Sequence, residues 1–254
     1  MIKLLALVVA LMLVRWIHVS PQNPVMSFKV NSWLPQYWSL WRKHFPKIEP
    51  YWHTTYMFWI VWIVPALLLA LLYVLASFVW MGLLAVLLAG LVLWACFPDF
   101  SDLLPQHRDV KSLVLMAHEH LFAVVFWFVL LGPAGALLYH SLSVYQQYTK
   151  RYHSELLGWE TAIHWTHFAM GWIPARLTAL FFGLVGNFET GFHAWRKMAL
   201  DPHVDSESLV ITCAEASLKD QGSNEQDPSM LAFTLVERAS FIWLIVLAVI
   251  SFNI

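Results

Sequence analysis

Residues 54–97 form an uninterrupted apolar segment of forty-four positions without one charged side chain. An α-helix rises about 1.5 Å per residue and the hydrocarbon core of a bilayer is about 30 Å thick, so the segment is too long for one crossing. It predicts two membrane helices, with the turn between Ser77 and Gly82. Composition agrees, because 59% of the chain is hydrophobic and only 12% is charged, against about 25% charged residues in ordinary soluble domains.

Further apolar segments predict the rest of the membrane-embedded part. Residues 1–17 read as a retained first helix; a cleaved signal peptide is the alternative, but Arg15 and Trp16 stand where a cleavage site needs small residues. Apolar runs at 121–138 and 172–188 and a short C-terminal helix follow. The chain is therefore predicted to be an all-α, polytopic helical membrane protein. We expect about five or six transmembrane helices and additional interfacial amphipathic helices, in a single membrane domain over residues 1–254.

Two polar segments separate these helices. Residues 18–53 combine four Lys or Arg side chains with several Trp and Tyr, which is typical of an interfacial segment at a headgroup layer; a loop with core aromatics is the alternative. Residues 187–237 are acidic and predicted to face water, either simply solvated or docking a basic partner. Because Lys and Arg favour the cytoplasmic side, 18–53, 98–117 and 187–237 are predicted to be cytoplasmic.

Several function classes lack support in the sequence. The net charge of −1 gives no electrostatic argument for nucleic acid as a partner. Cys96 ends an apolar run and Cys213 lies in a polar region, so no disulfide is expected. The sequence holds no phosphate-binding glycine loop, no nucleophile-elbow motif and no metalloprotease helix motif.

Two blocks resemble a known family. They are "HEHLFAVVFWFVLLGPAGALLYHSL" at 118–142 and "LGWETAIHWTHFAMGWIPARLTALFFGLVGNFETGFHAWR" at 157–196. Their Phe126-Trp127 pair, the Gly132-Pro133 turn with Tyr139 after it, and the Trp-Ile-Pro-Ala-Arg-Leu run at 172–177 resemble the AmpE branch of the CobD/CbiB superfamily. The CobD/CbiB enzymes are ATP-using synthases of the cobalamin pathway.

The resemblance is incomplete where the synthases carry acidic groups. Their first acidic run falls at residues 117–120, where only Glu119 is a carboxylate; the second falls at 143–146, where the acid has become Gln146; and their paired aspartates fall at about His167 and Phe168. ATP-dependent ligation needs carboxylates to hold Mg²⁺ on phosphates. The departures therefore argue against synthase chemistry and make a protein without its own turnover the favoured interpretation.

The AmpE-like branch implies a process more firmly than a reaction. Its members are bacterial inner-membrane proteins linked to β-lactamase induction and to the amidase of peptidoglycan recycling. The resemblance implies a multi-pass inner-membrane regulatory protein of cell-wall stress and antibiotic response, whose counterparts are membrane lipids and a cell-wall-related ligand or protein partner. No cofactor is expected. A membrane-embedded enzyme related to the CobD/CbiB synthases remains the alternative.

Histidines and nearby polar residues are the remaining site candidates. Glu160, His164 and His167 have helical i, i+4, i+7 spacing, and His118 and His120 flank Glu119. Imidazoles from two helices can bind zinc, but interfacial side chains with wet tips explain the same residues, and no metal site is predicted. The full candidate list for a polar or ligand-binding site is Arg176, Glu119, His118, His120, Gln146, Glu160, His164, His167 and Tyr139.

Arg176 carries the sharpest structural prediction. Pro174 suits the first turn of a helix, which would place Arg176 beside the positive end of its own helix dipole, where a cation is disfavoured. We therefore expect Arg176 to point inward and pair with a carboxylate. Glu119 is the expected acid, and an acid of the soluble segments is the fallback.

Overall fold

The computed structural model describes residues 40, 43, 44, 54–77, 83–96, 109–151, 158–219 and 228–253. The predicted first helix, and the predicted interfacial segment 18–53 apart from Leu40, Lys43 and His44, lie outside these residues. Within the described ranges all long elements are helices. They are α1 (Thr55–Ser77), α2 (Leu83–Cys96), α3 (Val110–Ala117), a π-helical turn (His118–Phe122), α4 (Ala123–Leu131), α5 (Pro133–Arg151), α6 (Glu160–Val185), α7 (Phe188–Met198), α8 (Ser206–Leu218) and α9 (Pro228–Asn253).

The helices confirm an all-α membrane protein. In the part of the chain that the structure describes, three are long and apolar enough to cross a bilayer, namely Thr55–Ser77, Val110–Leu131 and Glu160–Val185, and Leu84–Cys96 is a shorter apolar helix. Helix α1 ends at Ser77 and α2 starts at Leu83, so the apolar segment holds two helices as predicted, while residues 78–82 of the predicted turn lie outside the described ranges. The outward side of α1 is a row of leucines more than half exposed, which is the surface that lipid covers. They are Leu67, Leu68, Leu71, Leu72 and Leu75.

The apolar run 121–138 is divided at its Gly132-Pro133 turn: Gly132 adopts a left-handed φ of 72° that ends α4, and α5 begins at Pro133. The predicted start of the next helix at Trp172 is wrong. Helix α6 begins at Glu160, so Pro174 lies inside it and not in its first turn.

One compact unit contains α1, α2, α5 and the first residues of α6. Its centre is aromatic: Phe58 stacks on Trp62 with ring centroids 5.7 Å apart and meets the edges of Tyr145 and Trp159. The Trp62 indole N–H donates to the Leu138 carbonyl of α5 (3.0 Å). Offset and edge contacts of this kind stabilise beyond the area they bury.

A second compact unit contains α3, the π-helical turn, most of α4, the rest of α6, and α7 to α9. Helix α7 folds back along α6, and the two backbones approach closely at Gly183 and Gly191: a Cβ built on Gly191 would lie 2.7 Å from the Gly183 Cα. Helix α8 then packs on α7, and its Cys213 is buried against Ala179 of α6. Asn187 starts α7 by accepting the N–H of Thr190, as an N-cap should.

These helices include much of the segment 187–237 that was predicted to be acidic and water-facing. The segment contributes α7, α8 and the start of α9, while residues 220–227 lie outside the described ranges. Its buried face is apolar and small, with Leu209, Val210, Cys213 and Ala214 fully enclosed. The acids of α8 that are described lie on its outer side, with Glu215 exposed and Glu207 half-buried.

Candidate functional site

The core of the candidate site is the proline-interrupted middle of α6. Pro174 has no N–H, so the Met170 carbonyl one turn earlier loses its helical hydrogen bond. The Trp127 indole N–H of α4 donates to that carbonyl (3.1 Å). The Phe-Trp pair and the Trp-Ile-Pro-Ala-Arg run singled out in the sequence therefore meet in the fold, where the tryptophan replaces the hydrogen bond that the proline removes.

Arg176 lies two residues beyond this point and is buried, with only 7% of its surface exposed. Its Nε donates to the Ala199 carbonyl (2.8 Å), and its two terminal nitrogens donate to the carbonyls of Asp201 (2.9 Å) and Trp172 (3.0 Å). The guanidinium carbon also lies 3.7 Å from the centre of the Trp172 ring, a cation–π contact.

The geometry explains how a cation is accommodated there. Ala199 is the C-cap of α7, so the guanidinium lies at the negative end of that helix's dipole and donates to the Ala199 carbonyl, which the helix end leaves open. The side chain of Asp201 adds a negative charge nearby. The Trp195 indole N–H completes the link by donating to the Arg176 carbonyl (2.9 Å). Arg176 thus joins the middle of α6 to the end of α7.

The predicted ion pair between Arg176 and Glu119 is wrong. Arg176 does point inward, but within the described residues its hydrogen bonds go to three backbone carbonyls and none goes to a carboxylate. The prediction failed because it placed Arg176 near the start of its own helix. In the fold it lies opposite the end of another helix, which supplies the negative potential without a second buried charge.

Three of the four residues matched to the first acidic run of the synthases lie in the π-helical turn. His118 and Glu119 are buried and His120 is half-buried. His118 Nδ1 lies 3.2 Å from Thr178 Oγ1, and that hydroxyl donates to the Pro174 carbonyl (2.9 Å). Since the hydroxyl has one hydrogen, His118 is the donor to it. The widened turn aims the imidazole at the proline-interrupted part of α6, and such π-helical turns occur frequently at functional sites.

The other candidates lie in the first unit. His167 is buried, stacks on Tyr139 with ring centroids 5.7 Å apart, and places Nε2 3.4 Å from Ser143 Oγ. Ser143 also donates to the Tyr139 carbonyl (3.3 Å). Gln146 is half-buried one turn further along α5. Tyr139, Ser143 and His167 form a buried polar cluster between α5 and α6.

Glu160, His164 and His167 share a helical face, but their side chains do not form one site. Glu160 and His164 are exposed while His167 is buried, and the His164 ring lies against Trp165 at 6.0 Å. Among the described residues, no group of three or more His, Cys, Asp or Glu side chains is placed to hold a metal ion. The geometry of these residues favours the interfacial interpretation of His164 and a packing role for His167.

A surface groove lies between α7 and α8. It has a volume of about 710 Å³, an aromatic floor from Phe188 and Phe192, and charged walls that include Arg196, Glu215 and Lys219. Glu215 lies 3.7 Å from Lys111 of α3, an exposed pair. Sequence analysis did not single out this groove, although the i, i+4 spacing of Phe188 and Phe192 was a signal for an amphipathic helix.

Comparison with known proteins places these features in a family. Residues 98–253 match the family described as "Regulatory signalling modulator protein AmpE". The chain belongs to the AmpE family. The match covers the whole second unit, including the π-helical turn, the Pro174–Arg176 region and the groove, and it confirms the resemblance drawn from the two sequence blocks.

Two curated relatives, one an AmpE protein and one a CobD protein, match parts of this chain. Protein AmpE of Shigella flexneri is 22% identical over 149 residues, which is 57% of this chain and 52% of the relative. The cobalamin biosynthesis protein CobD of Chromobacterium violaceum is 32% identical over 93 residues, 35% of this chain and 29% of the relative. The matches thus span about half of the first relative and less than a third of the second. No solved structure matches the chain.

Three contributors to the site escaped sequence reasoning. Thr178 orients His118, Trp195 binds the Arg176 carbonyl, and Ser143 contacts His167. Of the three, only Thr178 had an indirect sequence signal, because a Thr four residues after a proline can bind the proline's own carbonyl. Their identity depends on which helices pack against α6.

Proposed function

We propose that the protein is a multi-pass regulatory protein of the bacterial inner membrane, linked to β-lactamase induction and to the stress of peptidoglycan recycling, and without synthase turnover of its own. Its counterpart would be a cell-wall-related ligand or a protein partner of that recycling pathway. Membership of a family described as regulatory signalling modulators supports this process.

The single observation that carries the proposal is that the guanidinium of Arg176 binds backbone carbonyls of its own chain. In a phosphate-handling or carboxylate-activating enzyme, a buried arginine is expected to offer its guanidinium to the substrate. Here three donors are engaged by backbone carbonyls and the ring of Trp172 covers one face. The arginine therefore works as a tie between helices, which suits a protein that transmits a change of shape.

The test is deletion of the gene in its own bacterium. We expect altered β-lactamase induction on exposure to a β-lactam, restored by the wild-type gene, with growth unaffected by the absence of added cobalamin. A deletion strain with normal induction and cell-wall tolerance that requires cobalamin would contradict the proposal.

A residual synthase is the second candidate, because the CobD relative is the more similar of the two over its shorter match. Against it stands the loss of acidic groups: the π-helical turn holds the single carboxylate of Glu119. The discriminating experiment is rescue of a strain lacking the cobalamin synthase. Growth restored by the wild-type gene and abolished by Glu119→Gln would favour the synthase, and absence of rescue favours regulation.

A further inference from the structure

Two neighbouring helices of the second unit are irregular at the same level. One is the continuous helix of α3, the π-helical turn and α4, and the other is α6, which contains Pro174. His118 of the π-helical turn hydrogen-bonds to Thr178 of α6 (3.2 Å). Further along, Trp127 of α4 donates to the Met170 carbonyl (3.1 Å). The two helices therefore run antiparallel, and both irregularities fall within the stretch that these two contacts bound.

Each irregularity changes the helical hydrogen bonding at this level. Pro174 leaves the Met170 carbonyl without its helical donor. In the π-helical turn the Ala123 N–H donates to the His118 carbonyl, so the turn closes on the fifth residue instead of the fourth. Prolines and π-helical turns are among the few causes of sharp bends in helices. A pair of packed helices that is interrupted in both members at one level can bend there while the regular turns on either side stay intact.

Helices α7 and α8 are fastened to the part of α6 that follows Pro174. Arg176 donates to the Ala199 carbonyl at the end of α7 (2.8 Å). Nearer the start of α7, the backbone at Gly191 closely approaches Gly183 of α6. Helix α8 packs in turn on α7 and on α6. A bend at the level of the proline therefore carries α7 and α8 along with the rest of α6.

Helix α9 passes the same level without an interruption, and its contacts there allow a small shift. The ring of Trp243 packs with centroid distances of 5.6–6.4 Å against Phe122, Phe126 and Phe181. Its indole N–H has no hydrogen-bond acceptor among the described residues. Trp243 can therefore move against these rings without breaking a hydrogen bond of its side chain.

We propose that the π-helical turn and Pro174 form one hinge, at which α7 and α8 tilt relative to α4 and the first part of α6. Thr178 couples the two halves of this hinge. Its hydroxyl accepts the hydrogen bond of His118 in the π-helical turn and donates to the carbonyl of Pro174 itself (2.9 Å). The hinge deepens the proposed function, on which its purpose rests, because it locates the change of shape that a regulatory membrane protein has to transmit.

The size of the movement follows from the length of α6 beyond the hinge. Residues 174–185 extend over about 16 Å, so a tilt of about 20°, the size of a sharp helix kink, displaces their far end by about 5 Å. Nitroxide labels report this displacement in the full chain reconstituted into phosphatidylcholine–phosphatidylglycerol nanodiscs, with distances measured by pulsed electron paramagnetic resonance. One label is attached to Ala169→Cys, before the hinge, and the other to Glu189→Cys, at the start of α7; both positions are exposed.

The control pair of labels lies entirely on the tilting side. It joins Glu189→Cys to Ser208→Cys, an exposed position near the start of α8. The wild type serves as the labelling blank because Cys96 and Cys213 are buried. We expect the distances across the hinge to be spread about 5 Å more widely than those of the control pair.

Changing either half of the hinge should narrow the distances across it. Pro174→Ala restores the missing N–H in α6. Removal of His120 shortens the π-helical turn to an α-helical one and, because a π-helical turn holds one residue more, leaves the flanking residues on their faces. Narrowing by this removal is specific to a shared hinge, since His120 belongs to the other helix. His120→Ala is the matched control: it removes the same side chain, keeps the length of the turn and should leave the distances as widely spread as in the wild type.

Three results would overturn the proposal. Wild-type distances across the hinge as narrow as those of the control pair would show that α6 does not bend. A spread that Pro174→Ala leaves unchanged would show that any bend lies elsewhere. Narrowing by Pro174→Ala but not by removal of His120 would show two independent irregularities instead of one hinge.

Thr178→Val tests the coupling and decides it if the chain without His120 does not fold. Valine keeps the branched shape and loses the hydroxyl that joins the two halves, so the distances across the hinge should spread more widely while those of the control pair stay the same. An unchanged spread would refute the coupling.

The hinge and the proposed function can fail separately, because the distances are measured on purified protein. Narrow distances together with altered β-lactamase induction in the deletion strain would refute the hinge alone. Widely spread distances that respond to both changes, together with normal induction, would refute the proposed function alone.

Discussion

Replacing Trp127 by Phe should destabilise the protein through one hydrogen bond. The indole N–H donates to the Met170 carbonyl, which Pro174 leaves without its helical donor. Phe keeps an aromatic ring in the half-buried position and removes the N–H. The Met170 carbonyl would then be an open acceptor at the interface of two helices.

The expected magnitude follows from that single loss. Hydrogen bonds between membrane helices contribute about 0.6 kcal/mol on average and up to about 1.7 kcal/mol, while a buried acceptor left open costs about 1–3 kcal/mol. We expect the hydrogen-bond loss in Trp127→Phe to lower the free energy of unfolding by about 1 kcal/mol. The measurement is equilibrium unfolding by SDS in mixed micelles, followed by circular dichroism.

Trp243→Phe is the matched control. Trp243 is more deeply buried than Trp127, but its indole N–H has no hydrogen-bond acceptor among the described residues. Its substitution loses ring contacts and no hydrogen bond. If burial alone mattered, Trp243→Phe would be the costlier change, so a larger cost at Trp127 isolates the hydrogen bond.

A double-mutant cycle with Pro174→Ala gives the sharpest refutation. Alanine restores a backbone N–H for the Met170 carbonyl, so Trp127→Phe should cost less in the Pro174→Ala background than in the wild type. Equal costs of Trp127→Phe in the two backgrounds would refute the reasoning, as would a cost at Trp127 no larger than at Trp243.

Two further predictions test the packing of the second unit. Burial raises the pKa of the Cys213 thiol to about 12, so native protein should not react with a thiolate-seeking reagent between pH 7 and about 9, and labelling that rises through this range without unfolding would contradict its enclosure. Gly191→Ala should lower the free energy of unfolding by about 1–3 kcal/mol, because its Cβ would lie 2.7 Å from the Gly183 Cα. Gly90→Ala, where no atom lies within 4 Å of the new Cβ, should be neutral or stabilising by up to about 1 kcal/mol; equal effects at the two glycines would show that the helices are not in close contact.

Local composition was enough to predict an all-α membrane protein. Residues 54–97 carry no charge and suit lipid, where a helix hydrogen-bonds its backbone N–H and C=O groups within its own segment. The division of this segment into α1, which ends at Ser77, and α2, which starts at Leu83, followed from the thickness of the bilayer. The two motif blocks likewise sufficed for the family, because a motif is read from residue order alone.

The tertiary structure decided what Arg176 does. Hydropathy placed the start of its helix at Trp172, and only the structure put that start at Glu160, which moved Pro174 from a helix end to a helix interior. The acceptors of the guanidinium include two carbonyls that come 23 and 25 residues later in the chain. Backbone carbonyls belong to every residue and leave no mark in a sequence, so which of them faces a buried arginine is fixed only when one helix folds back along another.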